Sequence, residues 1–270
     1  MYETHDLGLT LNGKTLLDGV SIAIRPGAVT VVVGPNGAGK SSLLKLLAGE
    51  RKPTRGRVTL DGADLAGLAA PALARRRAVL PQAADVAFPF SVGEVVAIGL
   101  GGGAGGRTSA HVARLLARVD LPDFAARRYD SLSGGERQRV HLARVLGQLE
   151  SGDPTTPRYL LLDEPTSSLD LSHQLLVLRL ARAHAAAGGG VLAVLHDLNL
   201  AAMVADRILL LAMGRILAEG PPEQVLTDAI LAQGFGVQVR VNLVPSSPFI
   251  LPQSVAGWRD EGEGEAAPAL

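Results

Sequence analysis

The feature that most constrains the fold of this chain is a glycine-rich loop of the pattern G-x-x-x-x-G-K-S, followed by a further serine. The loop and that serine are Gly34, Pro35, Asn36, Gly37, Ala38, Gly39, Lys40, Ser41 and Ser42. The apolar run Val29–Val33 before it is typical of a strand buried on both faces. The leucines at 43, 44, 46 and 47 behind it form a helical stripe. Strand, glycine loop and helix together predict the start of an α/β unit.

The residue types of this loop indicate phosphate binding. Its glycines allow consecutive backbone N–H groups to point at phosphate oxygens, and the following helix contributes the positive end of its dipole. Lys40 can reach the β- and γ-phosphates, and the Ser41 hydroxyl can ligate Mg²⁺. An ordinary strand-to-helix turn is the alternative, and the flanking strand and helix make it the weaker one.

Two further apolar runs end in polar residues. Leu160–Leu162 leads into Asp163 and Glu164, and Val191–Leu195 leads into His196. As parallel strands of the same sheet, they would place these side chains beside the glycine loop. There Asp163 would hold Mg²⁺ through water, Glu164 would polarise the attacking water, and His196 would contact the γ-phosphate. Taken alone, the acids could equally be solvated, and a lone histidine is more often structural.

A second glycine-rich helix start lies at residues 132–136, with the sequence LSGGE. Ser133 fits an N-cap, and Glu136 completes a capping box. The same hydroxyl, glycine N–H groups and helix dipole can also bind an anion. Because the chain already has one phosphate loop, this second one suggests a nucleotide shared between two copies of the protein.

Composition excludes several function classes. Lys plus Arg and Asp plus Glu both number 26, so the formal net charge is zero. That balance argues against a nucleic-acid coat protein or a polybasic membrane binder. The absence of cysteine excludes disulfides, zinc-thiolate sites and a cysteine nucleophile. The most apolar stretch, Gln174–Met213, is interrupted by charged residues and does not predict a membrane span.

Strand patterns flank a long helical pattern. The pattern predicts a strand at Val20–Ile24. It also predicts two hairpins, one at residues 54–65 with its turn at Asp61-Gly62 and one at Arg207–Gly220 with its turn at Met213-Gly214. An amphipathic helix is predicted between the strands that end at Asp163 and at His196.

From Pro71 to Gly152, alanine, leucine and arginine dominate, and we interpret this region, including RRRAVL, as a mostly helical insertion. Gly99–Arg107 reads as a flexible linker. Residues 256–270 are small and acidic and are predicted to be disordered.

The motifs together resemble those of the ATP-binding subunits of ABC transporters. GPNGAGKS corresponds to Walker A, LSGGE to the signature, LLLDE to Walker B, SSLD (residues 167–170) to the D-loop, Gln82 to the Q-loop and His196 to the switch histidine. The resemblance covers residues from about 5 to 240. It implies an α/β fold: a RecA-like P-loop NTPase core with an antiparallel β subdomain and an inserted helical subdomain. We expect a single domain over 1–255, with the core at about 1–82 and 155–240 and the helical subdomain at about 83–152.

The resemblance also implies residue roles, with ATP and Mg²⁺ as cofactors. The loop from Gly34 to Ser42 is expected to bind the phosphates. The implied metal set is Ser41, Gln82 and Asp163. The implied catalytic set is Lys40, Gln82, His196 and Glu164, with Glu164 as the general base. The set acting on the other subunit's ATP is Ser133, Gly134, Gly135 and Glu136, and Asp170 communicates across the dimer interface. One departure is Leu11, which stands where the family stacks an aromatic on adenine, so base selectivity is expected to be loose.

The implied assembly is a head-to-tail homodimer that sandwiches two ATP molecules and binds two copies of a membrane permease. A periplasmic substrate-binding protein takes part indirectly, no nucleic acid is involved, and the subunit lies on the cytoplasmic face of a bacterial inner membrane. The residues after His196 resemble the subfamily for iron-siderophore, haem and cobalamin uptake. Three features favour haem as the transported substrate: the proline-containing loop before Walker B, VGEVVAIGL and SSPFILPQ. A siderophore or cobalamin is the alternative substrate. A soluble, non-transport ABC ATPase is the alternative of another class, disfavoured by the single cassette, the lack of heptads and the neutral charge.

Overall fold

The computed structural model describes residues 1–82, 89–101, 106–151, 153, 155–244, 248–255 and 258. The predicted tail 256–270 lies outside these residues except for Trp258, as do parts of the predicted linker and of the loop before Asp163. Within the described residues, no helix combines the length and the apolar character needed to cross a membrane.

Strands predominate in residues 1–80, and helices predominate in residues 92–150. The strands are β1 (Tyr2–Leu11), β2 (Lys14–Val20), β3 (Ala23–Ile24), β4 (Val29–Val33), β5 (Arg55–Leu60), β6 (Ala63–Asp64), β7 (Arg77–Leu80), β8 (Tyr159–Asp163), β9 (Gly190–Val194), β10 (Arg207–Ala212) and β11 (Arg215–Gly220). The α-helices are α1 (Lys40–Leu47), α2 (Ala70–Arg76), α3 (Val92–Gly99), α4 (Gly106–Arg118), α5 (Gly134–Glu150), α6 (Leu171–Ala186), α7 (Leu198–Val204), α8 (Pro222–Val225) and α9 (Asp228–Phe235). Single 3₁₀ turns lie at Leu65–Gly67, Tyr129–Ser131 and Pro252–Ser254.

The main sheet has six strands in the order β11-β10-β4-β9-β8-β7. The strands from β10 to β7 are parallel, and β11 pairs antiparallel with β10. Its central strands β4, β8 and β9 are buried at every residue, which explains their uninterrupted apolar sequences. A second, antiparallel sheet contains β1, β2, β3, β5 and β6. The predicted α/β class and the antiparallel β subdomain are confirmed.

The side chains of each central strand alternate between two cores. Val31 and Val33 face a cluster formed with α3, α5, α6 and α7, whereas Val32 faces one formed with α1 and the antiparallel sheet. In the same way Leu160 and Leu162 face the first cluster, and Leu161 faces the second. The period of two along a strand thus makes the main sheet the middle layer of the molecule.

Two hairpin predictions are confirmed. β5 and β6 turn at Asp61-Gly62, and β10 and β11 turn at Met213-Gly214; all four residues have positive φ, as type I′ turns require. The predicted amphipathic helix is α6.

Four sequence interpretations need correction. RRRAVL is not wholly helical, because Arg77–Leu80 forms edge strand β7, which pairs in parallel with β8 and buries Ala78 and Leu80. Gly99 and Gly106 belong to helices α3 and α4 rather than to a linker. Val20–Ile24 is not one strand, because Val20 ends β2 and Ala23–Ile24 forms β3. The sequence analysis also missed β1, whose buried Tyr2, Leu7 and Leu9 pack in the second core.

Gly99 lies where α3 meets α5. A Cβ atom at this position would come within 2.0 Å of the carbonyl oxygen of Arg144. The helices can approach this closely only because the residue has no side chain.

We therefore predict that Gly99→Ala lowers the free energy of unfolding by about 1–3 kcal/mol, since the two helices must move apart. Urea unfolding followed by circular dichroism measures this change. Gly67→Ala is the matched control, because a Cβ at Gly67 has no neighbour within 4 Å. Equal stabilities of the two variants would contradict the prediction.

Candidate functional site

The glycine loop runs from the carboxyl end of β4 to the first turn of α1 and packs against two hairpins. A Cβ at Gly34 would lie 2.0 Å from the carbonyl oxygen of Leu211, and one at Gly39 would lie 2.6 Å from that of Leu16. The loop is also tied to the β10–β11 turn, because the Gly214 N–H donates to the Ala38 carbonyl at 3.1 Å. Neighbouring backbone therefore requires glycine at Gly34 and Gly39, independently of any ligand.

The outer side of the loop is open. Asn36 and Gly37 are exposed, and a Cβ at Gly37 would meet nothing within 4 Å. Gly37 has φ of 77° and Gly39 has φ of 106°, in the left-handed region that favours glycine. The loop thus turns its backbone outward at the amino end of α1, as phosphate binding requires.

Lys40 lies over this loop from the first turn of α1. Its Nζ donates to the carbonyl oxygens of Gly34 at 2.8 Å and Pro35 at 2.9 Å. Burial lowers the pKa of Lys40, and the negative charges of Glu164 and Asp163 oppose that shift. The amine is thus held at the loop, close to where its backbone turns outward.

Ser41 and Asp163 meet between α1 and β8. The Ser41 hydroxyl donates to Oδ1 of Asp163 at 3.2 Å. Asp163 is only 5% exposed, and burial raises its pKa although the Ser41 hydrogen bond lowers it. A buried carboxylate beside a hydroxyl fits Mg²⁺, which prefers hard oxygen ligands and would offset the cost of burying the negative charge.

Glu164 is contacted by residues from both neighbouring strand ends. Gln82, two residues beyond β7, donates through Nε2 to Oε2 of Glu164 at 2.6 Å. His196, two residues beyond β9, lies with Nε2 2.6 Å from Oε1. The carboxylate is 14% exposed, whereas the histidine is 45% exposed. The parallel order β7-β8-β9 thus brings together three predicted catalytic side chains that are far apart in sequence.

The backbone at Glu164 is also specialised. Its φ is 49°, which is unusual for a residue with a side chain, and its N–H donates to the Val194 carbonyl at 3.2 Å. Gln138 of α5 donates through Nε2 to the Glu164 carbonyl at 3.4 Å. Sequence analysis missed Gln138, because an amide within a helix carries no signal of a contact with a distant strand end.

The second glycine-rich helix start forms the predicted capping box. The Ser133 hydroxyl accepts from the Glu136 N–H at 3.3 Å, and Oε2 of Glu136 accepts from the Ser133 N–H at 2.8 Å. Oε2 of Glu136 also accepts from the Ser133 hydroxyl at 2.7 Å, and the hydrogen bonds from the Ser133 hydroxyl and N–H to this carboxylate lower the pKa of Glu136. A Cβ at Gly134 would meet nothing within 4 Å, whereas one at Gly135 would lie 3.2 Å from the Ser168 carbonyl.

The structure does not join the two glycine motifs within one chain. In the described part of the molecule, no hydrogen bond or ion pair links residues 133–136 with residues 34–42. Ser133 is exposed and makes its side-chain contacts with Glu136.

Asp170 caps α6. It accepts from the His173 N–H at 3.0 Å and from the Ser172 hydroxyl at 2.8 Å, and these bonds lower the pKa of Asp170 to about 2. Gln174, also missed by sequence analysis, donates through Nε2 to the carbonyls of Thr166 and Leu169 at 3.1 and 3.0 Å. Gln174 therefore links two backbone carbonyls of segment 166–170 to α6.

Leu11 lies at the end of β1 and pairs with Lys14 across the β1–β2 turn. It is half-buried and packs against the second core. The predicted apolar contact with a base at this position stays a prediction.

The P-loop between a buried strand and a helix, the adjacent acids and the RecA-like sheet define a P-loop nucleotide-binding protein. The sequence profile of the ABC transporter family matches residues 17–167. The hemin import ATP-binding protein HmuV of Rhizobium meliloti (strain 1021) is 49% identical over 260 residues, covering 94% of this chain and 99% of that protein. The protein of the same name from Gloeobacter violaceus is 48% identical and covers 97% of this chain and 98% of its own length.

Solved structures agree with this assignment. The ATP-binding cassette MJ0796, in a dimeric post-hydrolysis state bound to ADP and Pi, has a TM-score of 0.72 at 26% identity, covering 82% of this chain and 99% of its own. A bacterial Atm1-family ABC exporter with ATP bound has a TM-score of 0.75 at 28% identity, covering 87% of this chain and 41% of its own. The chain belongs to the ABC transporter family, which confirms the family resemblance of the motifs.

We predict that Asp163→Asn raises the free energy of unfolding of the nucleotide-free protein at pH 7. The folded state raises the pKa of this carboxyl, so its ionisation destabilises the fold above that pKa, and the cost disappears as the pH falls below the ordinary value near 3.8. The gain, measured by urea unfolding, should be largest at pH 7 and should shrink as the pH is lowered toward 3.8.

The matched control is Asp123→Asn, at an exposed position, which should change the unfolding free energy little. The stabilisation of the wild type by Mg²⁺ and ATP should be much weaker in Asp163→Asn. A variant that is less stable than the wild type at pH 7 without nucleotide would contradict the role of burial.

Proposed function

We propose that this chain is the ATP-hydrolysing subunit of a bacterial ABC importer of hemin. The observation that carries the proposal is the contact of Glu164 with both Gln82 and His196 beside a phosphate loop. Near-full-length similarity to proteins named for hemin import supports the substrate. Three sequence features favour the same substrate, namely the proline-containing loop before β8, VGEVVAIGL and SSPFILPQ.

In this proposal Glu164 is the general base. Gln82 and His196 orient its two oxygens, and each oxygen keeps a lone pair that can accept a proton from the attacking water. His196 is sufficiently exposed to contact the γ-phosphate as well. The chain thus holds the base in position before the substrate arrives, which lowers the entropic part of the barrier.

The remaining residues stabilise charge. The backbone N–H groups of residues 34–42 bind the phosphates, and Lys40 exchanges its contacts with the Gly34 and Pro35 carbonyls for phosphate oxygens. Ser41, Asp163 and Gln82 would hold Mg²⁺, which supplies charge neutralisation on the β- and γ-phosphates when bound.

The active unit in this proposal is a dimer. Ser133, Gly134, Gly135 and Glu136 of one copy complete the phosphate site of the other. Ser133 and Gly134 are exposed, and among the described contacts residues 133–136 make no hydrogen bond or ion pair with the phosphate loop of their own chain. The dimeric cassette among the structural neighbours supports this arrangement. Asp170 is proposed to transmit dimer closure.

The proposed assembly adds two copies of a permease, reached through the Gln82 region, and a periplasmic binding protein that contacts only the permease. The subunit would sit on the cytoplasmic face of the inner membrane. Hemin itself would not touch this chain.

Glu164→Gln should lower kcat for ATP hydrolysis by about 100- to 10,000-fold, because the amide cannot accept the proton from water. Its affinity for ATP should stay within a few-fold of the wild type, and ATP should shift the variant toward the dimer. Phosphate release, equilibrium nucleotide binding and light scattering measure the three quantities.

Glu223→Gln, at an exposed position in α8, is the matched control and should hydrolyse ATP normally. Near-normal turnover by Glu164→Gln would remove Glu164 from the role of base.

The substrate is tested with the chain and its permease in proteoliposomes, supplied with binding protein loaded with hemin, a ferric siderophore or cobalamin. Hemin should raise ATP hydrolysis several-fold, and the complex carrying Glu164→Gln should show no response. Stimulation by the siderophore or cobalamin without hemin would overturn the substrate. Co-purification with ribosomes or DNA instead of a permease would overturn transport.

A further inference from the structure

One imidazole lies between two carboxylates at the junction of the core and the helical subdomain. In His173, near the start of α6, Nδ1 is 2.8 Å from Oδ1 of Asp170 and Nε2 is 3.3 Å from Oδ2 of Asp120. The histidine side chain is 22% exposed, whereas the two aspartates are mostly exposed. Only the doubly protonated ring donates from both nitrogens, and in that form it attracts both carboxylates.

Asp120 is itself held in position. It follows the carboxyl end of α4 with φ of 59°, and Arg139 of the signature helix α5 donates through Nη1 to the carbonyls of Val119 at 3.1 Å and Asp120 at 2.9 Å. The same nitrogen lies 3.5 Å from Oδ2 of Asp120. Arg139 is 8% exposed, so α4 and α5 form one unit at this point. A change at Asp120 therefore acts on the signature helix.

Asp170, at the other end of the bridge, also has several contacts within the core. It caps α6 and ends the segment 166–170, which Gln174 holds through two carbonyls. This segment approaches the signature at Gly135, where a Cβ would lie 3.2 Å from the Ser168 carbonyl. The signature at Gly135 and segment 166–170 are therefore close together, and a small movement of either would change the distance between them.

We propose that His173 is a positioning residue that sets the distance between the signature helix start and segment 166–170. By joining Asp170 to Asp120, it holds Ser133–Glu136 at a fixed place relative to the core. The inference rests on the proposed function, because Ser133–Glu136 act on the ATP of the other copy. The bridge does not include any residue proposed to bind ATP in the same chain. Loss of the bridge should therefore lower turnover and leave ATP affinity nearly unchanged.

The test is steady-state hydrolysis of Mg-ATP by the full chain and three variants. His173→Ala removes the bridge, and Asp120→Gly removes its other end while suiting the positive φ of that position. Each should lower kcat about three- to tenfold and leave KM within about twofold, since misplacement of a transition-state contact costs rate rather than binding. The double variant should be no slower than the slower single variant, because both remove the same contact.

His111→Ala is the matched control. His111 of α4 also contacts a carboxylate, with Nε2 2.7 Å from Oε2 of Glu150, but both residues belong to the helical subdomain. Its kcat should stay within about twofold of the wild type. His173→Gln, which keeps one amide donor, covers the case in which His173→Ala does not fold, and its kcat should lie between those of the wild type and of Asp120→Gly.

The outcomes separate the two proposals. A wild type that hydrolyses no ATP would overturn the proposed function and this inference with it. An active wild type with unchanged kcat in the folded His173 variant would overturn the inference alone. The inference would also be overturned if the kcat losses of the two single variants multiplied in the double variant. The same holds if the variants changed KM rather than kcat.

Discussion

The parallel pairing of β4, β9, β8 and β7 is the interaction on which the rest of the site depends. Because these strands run in one direction, their carboxyl ends lie at one edge of the sheet, and the phosphate loop, Asp163, Glu164, His196 and Gln82 follow those ends. Hydrogen bonds between the strands, rather than contacts among the polar groups, therefore set the spacing of the chemistry. The polar contacts then orient side chains that the sheet has already brought within reach.

The phosphate loop depends on a second constraint, which is steric. The loop passes so close to the backbone of Leu211 and Leu16 that Gly34 and Gly39 leave no room for a Cβ. Packing requires these two glycines, whereas a Cβ at Gly37 would lie in open space on the outer side of the loop. The antiparallel β subdomain thus takes part in shaping the nucleotide site, although none of the residues proposed for hydrolysis lies in its strands.

The signature differs from the phosphate loop, because the start of its helix α5 forms a complete capping box without any ligand. Its local geometry is satisfied in a single chain, and its separation from the phosphate loop is what makes a second copy necessary in the proposed function. The junction at His173, Asp120 and Arg139 links this helix to the core.

Local patterns were sufficient for the phosphate loop, the central strands β4, β8 and β9, both hairpin turns, helix α6 and the capping box, because short-range backbone requirements dictate those residue types. They failed at β1 and β7, where pairing with distant strands outweighs a mixed or arginine-rich local sequence. They also gave no sign of the contacts of Gln138, Gln174 and His173, which join elements far apart in the chain. Residue types thus indicate which chemical groups this protein carries, whereas the fold sets which of them meet, since strand order and helix packing depend on long-range contacts that no local pattern encodes.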